Sequence, residues 1–211
     1  ISMQNGVTMM PSGPSNLGTD LSGDHPISFT YDSALVALDP TLNNPSTLTG
    51  PVKLDHSGQM QCDSCHDPHN DQFGNFLVMD NTGSALCIVC HNVPPFSSSP
   101  HPLSVKDLPA TVAAKLEPQA AQIKSAGNNS KNNTVAAPGC ENCHATHRAG
   151  SKQFLMKFQA PEQNCLICHN GSVAAKNVAT DFQKSSIHPI TINNRPHNPA
   201  DWRVALELRR G

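Results

Sequence analysis

Cys-x-x-Cys-His recurs four times in this chain, as Cys62-Asp-Ser-Cys65-His66, Cys87-Ile-Val-Cys90-His91, Cys140-Glu-Asn-Cys143-His144 and Cys165-Leu-Ile-Cys168-His169. The pentapeptide is an attachment sequence for c-type haem. Two thiols add to the vinyl groups, and the adjacent His reaches the iron from one face. The four motifs use all eight cysteines, leaving none for a disulfide or a catalytic role. Paired CxxC sequences also bind structural zinc. A zinc ribbon, however, needs two pairs per ion and has no reason to place His after every second cysteine. A redox dithiol of the thioredoxin kind needs one CxxC beside a strand–helix unit, so four would be redundant. The expected cofactor is four covalent haem c groups, with His66, His91, His144 and His169 as proximal ligands.

Composition agrees with a chain built around large apolar groups. Of 211 residues only 37% are hydrophobic and 4% aromatic, while Pro and Gly total 31. That is too little to fill an ordinary core of this length. One haem per 53 residues or so would supply the deficit. Folding is then expected to depend on the cofactor. The expected fold has few regular elements: mostly loops and short helices wrapped around four haems, with minor β structure. Net charge is −2, and no basic stripe suggests nucleic acid. No apolar run approaches the length of a transmembrane segment. Ile1-Ser-Met-Gln-Asn-Gly reads as a mature end left after removal of an export signal.

The chain repeats internally. Cys62 to Cys87 and Cys140 to Cys165 are both 25 residues, and the two pairs are offset by 78. At that offset Cys65-His-Asp-Pro-His69 aligns with Cys143-His-Ala-Thr-His147, and Phe76-Leu77 with Phe154-Leu155. The reading is a duplicated two-haem module. It divides into an extended segment 1–20, a first module 21–124, a linker 125–139 rich in Asn and Gly, and a second module 140–211. One or two short helices are expected in 104–124, broken by Pro109 and Pro118. The alternation from Trp202 to Arg209 predicts a strand, pairing within the chain or with another subunit. Asn128-Asn-Ser130 and Asn132-Asn-Thr134 match glycosylation sequons, a match of little weight in a prokaryote.

Sixth ligands must come from the remaining seven histidines. No methionine recurs at a repeat-equivalent position, so bis-His ligation is expected, which implies a low potential. His69 and His147 are equivalent and lie three residues past a proximal His. That spacing suits donation to a neighbouring haem. His25 and His101 each precede a CxxCHxxH motif and are followed by Pro, which stiffens a ligand-bearing loop. His188 repeats the His-Pro signature after the last motif, serving this chain or the next molecule. His56 and His197 have no repeat partner and read as surface or supporting residues.

Gly23-Asp-His-Pro-Ile27, the CDSCHDPH run 62–69, Leu86-Cys-Ile-Val-Cys-His91 and their second copies resemble the doubled-CxxCH multihaem cytochromes of metal-respiring bacteria. Four motifs in a chain of this length are further similar to extracellular tetrahaem cytochromes that polymerise into conductive filaments, or nanowires. The resemblance implies long-range electron transfer, a homopolymer with end-to-end haem contact, and an axial His that one subunit can lend to its neighbour. It also implies export through the periplasm to the cell surface, with mineral oxides or other redox proteins as acceptors. The alternative is a monomeric periplasmic shuttle, with all eight axial ligands in one chain. A reductase would need an open iron position beside acid–base residues. Seven spare histidines and scattered basic residues argue against one, so no enzymatic activity is expected.

Overall fold

The computed structural model describes residues 13, 16–116 and 134–184. The strand expected at 202–209, together with His188 and His197, lies outside them. Among the described residues the architecture is loops and short helices with one small sheet, as the composition implies. Strand β1 (Phe29–Thr30) pairs antiparallel with β2 (Gln59–Met60), Phe29 opposite Met60. A two-stranded ribbon has little stability alone. Here it is held by a cluster of Tyr31, Val52, Met60 and Cys90, against which Leu35, Val36, Leu42 and Leu86 pack.

Helix α1 (Ser33–Leu38) supplies Leu35 and Val36 to that cluster. Its start is set by Asp32, whose carboxylate accepts from the Leu35 N–H at 2.9 Å, satisfying one of the orphan donors of the first turn. Helix α2 (Ala85–Cys90) carries the second motif, and α3 (Pro94–Ser97) follows it. Helix α4 (Ala110–Leu116) begins directly after Pro109, within the stretch where short helices are expected. Helix α5 (Pro161–Leu166) opens on a proline, whose missing N–H costs nothing there, and carries Cys165.

A second cluster joins Leu108 and Val112 to Val135 and Val173, with Phe158, Ile167 and Cys168 packed against it. The segment around α4, grouped by sequence with the first module, therefore packs on the second. The end of the expected linker is also built in. Thr134 bridges to Asp107, Val135 is buried, and Gly139 lies against Ser84. Val135 is apolar and Gly139 has no side chain, so both can enter a packed junction.

The repeat is not strictly in step. His66 bridges to Leu77 but His144 to Met156, and Asp67 bonds Phe76 O where Ala145 bonds Leu155 O. The structural equivalent of Phe76 is thus Leu155, one residue later than the motif offset predicts. The second module holds one extra residue before this point and one fewer after it. Gly150 marks the slip: a Cβ there would meet the carbonyl of Lys157.

Candidate haem-binding centre

All four motifs close the same backbone turn. The N–H of His66, His91, His144 and His169 bonds the carbonyl of the first cysteine of its own motif, at 3.0, 2.9, 3.0 and 3.0 Å. Residues i, i+3 and i+4 of a helical turn share one face. Both thiols and the imidazole of each motif therefore address one side. Two motifs obtain this turn from α2 and α5, and two from 3₁₀ turns at Cys62–Ser64 and Gly139–Asn142. All eight thiols are free of disulfides.

Three motif histidines are oriented from behind. His66 Nδ1 lies 2.8 Å from Asn75 O, His144 Nδ1 2.7 Å from Phe154 O, and His169 Nδ1 3.2 Å from Lys176 O. A carbonyl only accepts, so each Nδ1 carries the proton and each Nε2 keeps its lone pair for a metal. Two of these carbonyls are presented by a left-handed stretch. Asn75 and Phe76 have φ of 51° and 55°, and Phe154 and Leu155 of 56° and 51°. Four non-glycine residues in this region are costly, of order 1–3 kcal/mol each. The strain recurs at structurally equivalent positions, where it aims the carbonyl at the proximal ring. Burial, and then the nearby His25, pushes His91 below the ordinary imidazole range and so favours the neutral, ligating form.

Three motif histidines face a second imidazole. Ring centres are 6.1 Å apart for His66–His147, 6.2 Å for His25–His91 and 6.2 Å for His101–His169. An imidazole nitrogen binds a transition metal at about 2 Å and its ring centre lies about 1 Å further back, so a metal between two rings separates their centres by about 6 Å. The pairs fit a six-coordinate iron. Among the described residues no imidazole faces that of His144 or His69 in this way, and both side chains are exposed. His56 is exposed too.

Several positioning residues were not evident from sequence. Asn43 donates from Nδ2 to the carbonyls of Ile88 and Val89, both at 3.0 Å, and Tyr31 donates to Asn43 O at 2.5 Å, clamping α2. Asn164, buried, clamps the turn before α5: it donates to Phe158 O and accepts from Phe158 N, each at 3.1 Å. Buried Ser84 joins the modules, donating to Pro138 O and accepting from Cys140 N at 2.7 Å. At this junction the Cys87 and Cys140 thiols lie close enough to influence each other. Their proximity pushes Cys87 up and draws Cys140 down to about 6. Burial pushes the neighbouring Glu141 carboxyl up as well, against the attraction of Lys157. Asp24 is the last of these residues: it lies 2.9 Å from His147 Nδ1. The available signal was an asymmetry, Asp24-His25-Pro against Pro100-His101-Pro.

Two segments, 56–94 and 132–174, match the family described as Doubled CXXCH motif. Each contains one complete motif pair. The matches support a multihaem c-type cytochrome. Covalent haem attachment and electron transfer follow from the same motifs. No curated protein and no solved structure matches the chain. The eight thiols and the three facing imidazole pairs fit haem held through thioethers and bis-His ligation. Among the described residues no helix is long and apolar enough to cross a membrane.

Proposed function

We propose that this cytochrome carries four haems and conducts electrons as an extracellular homopolymer in which subunits exchange an axial His. Each haem iron, when bound, takes up and releases one electron. The chain's own residues do three things. The cysteines would fix each macrocycle, the three facing His pairs would hold iron from both sides, and the junction brings two attachment points together. Ser84, just before the helix carrying Cys87, bonds Cys140 N–H, so the groups attached at the two cysteines are neighbours across the module boundary. No residue need make or break a bond, which is why the reading is a conduit and not an enzyme.

The observation that carries the polymer is the one unmatched set. His144 is oriented by Phe154 O as a ligand but faces no imidazole among the described residues, while His69 is exposed and faces none. A chain whose described residues leave a motif His without a facing imidazole, and a repeat-equivalent His exposed at the surface, is suited to joining copies of itself. The second reading, a monomeric periplasmic shuttle, would have His188 close on His144 within the chain.

Electron microscopy and mass measurement of the native protein decide between them. Regular filaments that fall apart in His69→Ala support the proposal. Dispersed particles of one chain plus four haems, all low-spin, overturn it in favour of the shuttle. A haem content other than four overturns the count.

A further inference from the structure

Five of the candidate iron ligands turn Nδ1 toward a neutral oxygen. Those oxygens are the carbonyls of Asn75, Phe154, Lys176 and Pro26, and the hydroxyl of Ser99 for His101. His147 alone among the described histidines turns it to a carboxylate, Asp24 Oδ1, at 2.9 Å. The Asp24 side chain is 6% exposed and its oxygen also lies 3.3 Å from the Arg148 N–H. The backbone fixes this arrangement. His25 N–H bonds Thr146 O at 2.8 Å and Ala149 N–H bonds Gly23 O at 2.8 Å, so residues 23–25 lie along 146–149. One short segment therefore delivers His25 toward His91 and Asp24 to the back of His147. In the second His-Pro signature Pro100 stands where Asp24 stands in the first.

We propose that Asp24 is a positioning and tuning residue that gives the iron between His66 and His147 the lowest potential in the chain. A carboxylate behind a ligating imidazole raises its basicity and fixes its ring. Hydrogen bonding behind the ligand is one of the protein's levers on haem potential. Reduction adds one electron, supplied by a neighbouring iron, and no bond forms or breaks. A buried negative charge behind His147 favours the oxidised side of that exchange, because low polarity leaves the charge poorly screened. The two modules then differ in potential although their motifs are alike.

This rests on the bis-His haem reading. The test is a haem-resolved redox titration of intact protein carrying Asp24→Asn or Asp24→Glu. In Asp24→Asn one potential rises, shifting its electron-sharing equilibrium at least tenfold, about 59 mV for one electron. The others stay, all previously low-spin haems remain low-spin, and Asp24→Glu recovers most of the shift. The shifted haem is the one that His147→Ala makes high-spin. Unchanged potentials with lowered thermal stability would overturn the proposal and leave Asp24 a structural tie. A uniform shift of all haems, or loss of a low-spin haem in Asp24→Asn, would overturn it too. If Asp24→Asn does not mature, the unaltered protein decides: the haem on His66 and His147 must be reduced last, and any other order refutes the tuning. Absence of haem, or a wild-type protein without bis-His haems, would sink the underlying reading instead.

Discussion

In the first motif pair Cys90 lies inside a cluster with Tyr31, Val52 and Met60, whereas in the second Cys168 packs at the edge of Leu108, Val112, Val135 and Val173. The helix carrying Cys87 is clamped from a distant loop by Asn43, and the turn before the helix carrying Cys165 by Asn164, which belongs to that helix. The His147 ring meets an imidazole and a carboxylate, while the ring of its equivalent His69 meets neither among the described residues. Duplication has kept what a five-residue turn decides for itself. It has not kept what depends on residues far along the chain, and there the modules have separated in chemistry.

The largest expected effect breaks the comparison at its ligands. In chains dispersed from one another, His147→Ala adds one high-spin haem to the electron paramagnetic resonance spectrum, and His69→Ala adds none. Equal effects would mean that the two positions serve haems alike and that the asymmetry is illusory.

The clamps come next. Asn164→Ala removes a buried side chain and leaves part-buried backbone groups of the Phe158 turn unpaired, and is expected to cost about 2 kcal/mol, against about 1 kcal/mol for the less buried Asn43→Ala. Denaturant unfolding of the holoprotein followed by haem absorbance measures both, and a reversed order would place the tighter clamp in the first module. The positions preceding the two first motifs should differ similarly. Gly139 has φ of +52°, and a Cβ there would lie 2.5 Å from Ser84 Oγ, while Gln61, its equivalent, has φ of −136°. Gly139→Ala is expected to cost about 1–3 kcal/mol through strain and crowding, and Gln61→Ala less, by the same unfolding measurement.

The smallest effect is confined to alkaline pH. Burial pushes the Tyr31 phenol from 10.0 up to about 12. The folded state therefore holds this proton more tightly than the unfolded state. The stabilisation is complete below pH 10 and is lost as pH rises from 10 to about 12. Tyr31→Phe should lose about 1 kcal/mol at neutral pH with its hydrogen bond to Asn43 O, and should flatten the stability profile in that alkaline window. A profile as steep in the variant as in the parent would assign the loss to another group.

Eight cysteines in pentapeptides, a proximal His in each, the doubled module and a fold poor in regular structure were all legible in the residue order, because each is a local or compositional property. His147, His25 and His101 were legible as ligand candidates from spacing and the following Pro. Which ring each would face was not, because those pairings join residues 81, 66 and 68 positions apart. The alignment of Phe76 with Phe154 failed by one residue, since a gain before the strand-like bridge and a loss after it restore the cysteine offset and hide the slip. Asn164, Ser84 and Asp24 carry no motif of their own. They were silent until the chain folded around them.

The sequence by itself determined the cofactor chemistry, since thioether attachment and the proximal ligand need only one turn of backbone. Only the tertiary structure decided which imidazoles face three of the motif histidines, which thiols lie close at the module junction, and that, among the described histidines, a carboxylate stands behind His147 alone. Those outcomes depend on distances across the fold. Hydrogen bonds and ligand geometry tolerate errors of a few tenths of an ångström, a precision that packing supplies and residue order does not.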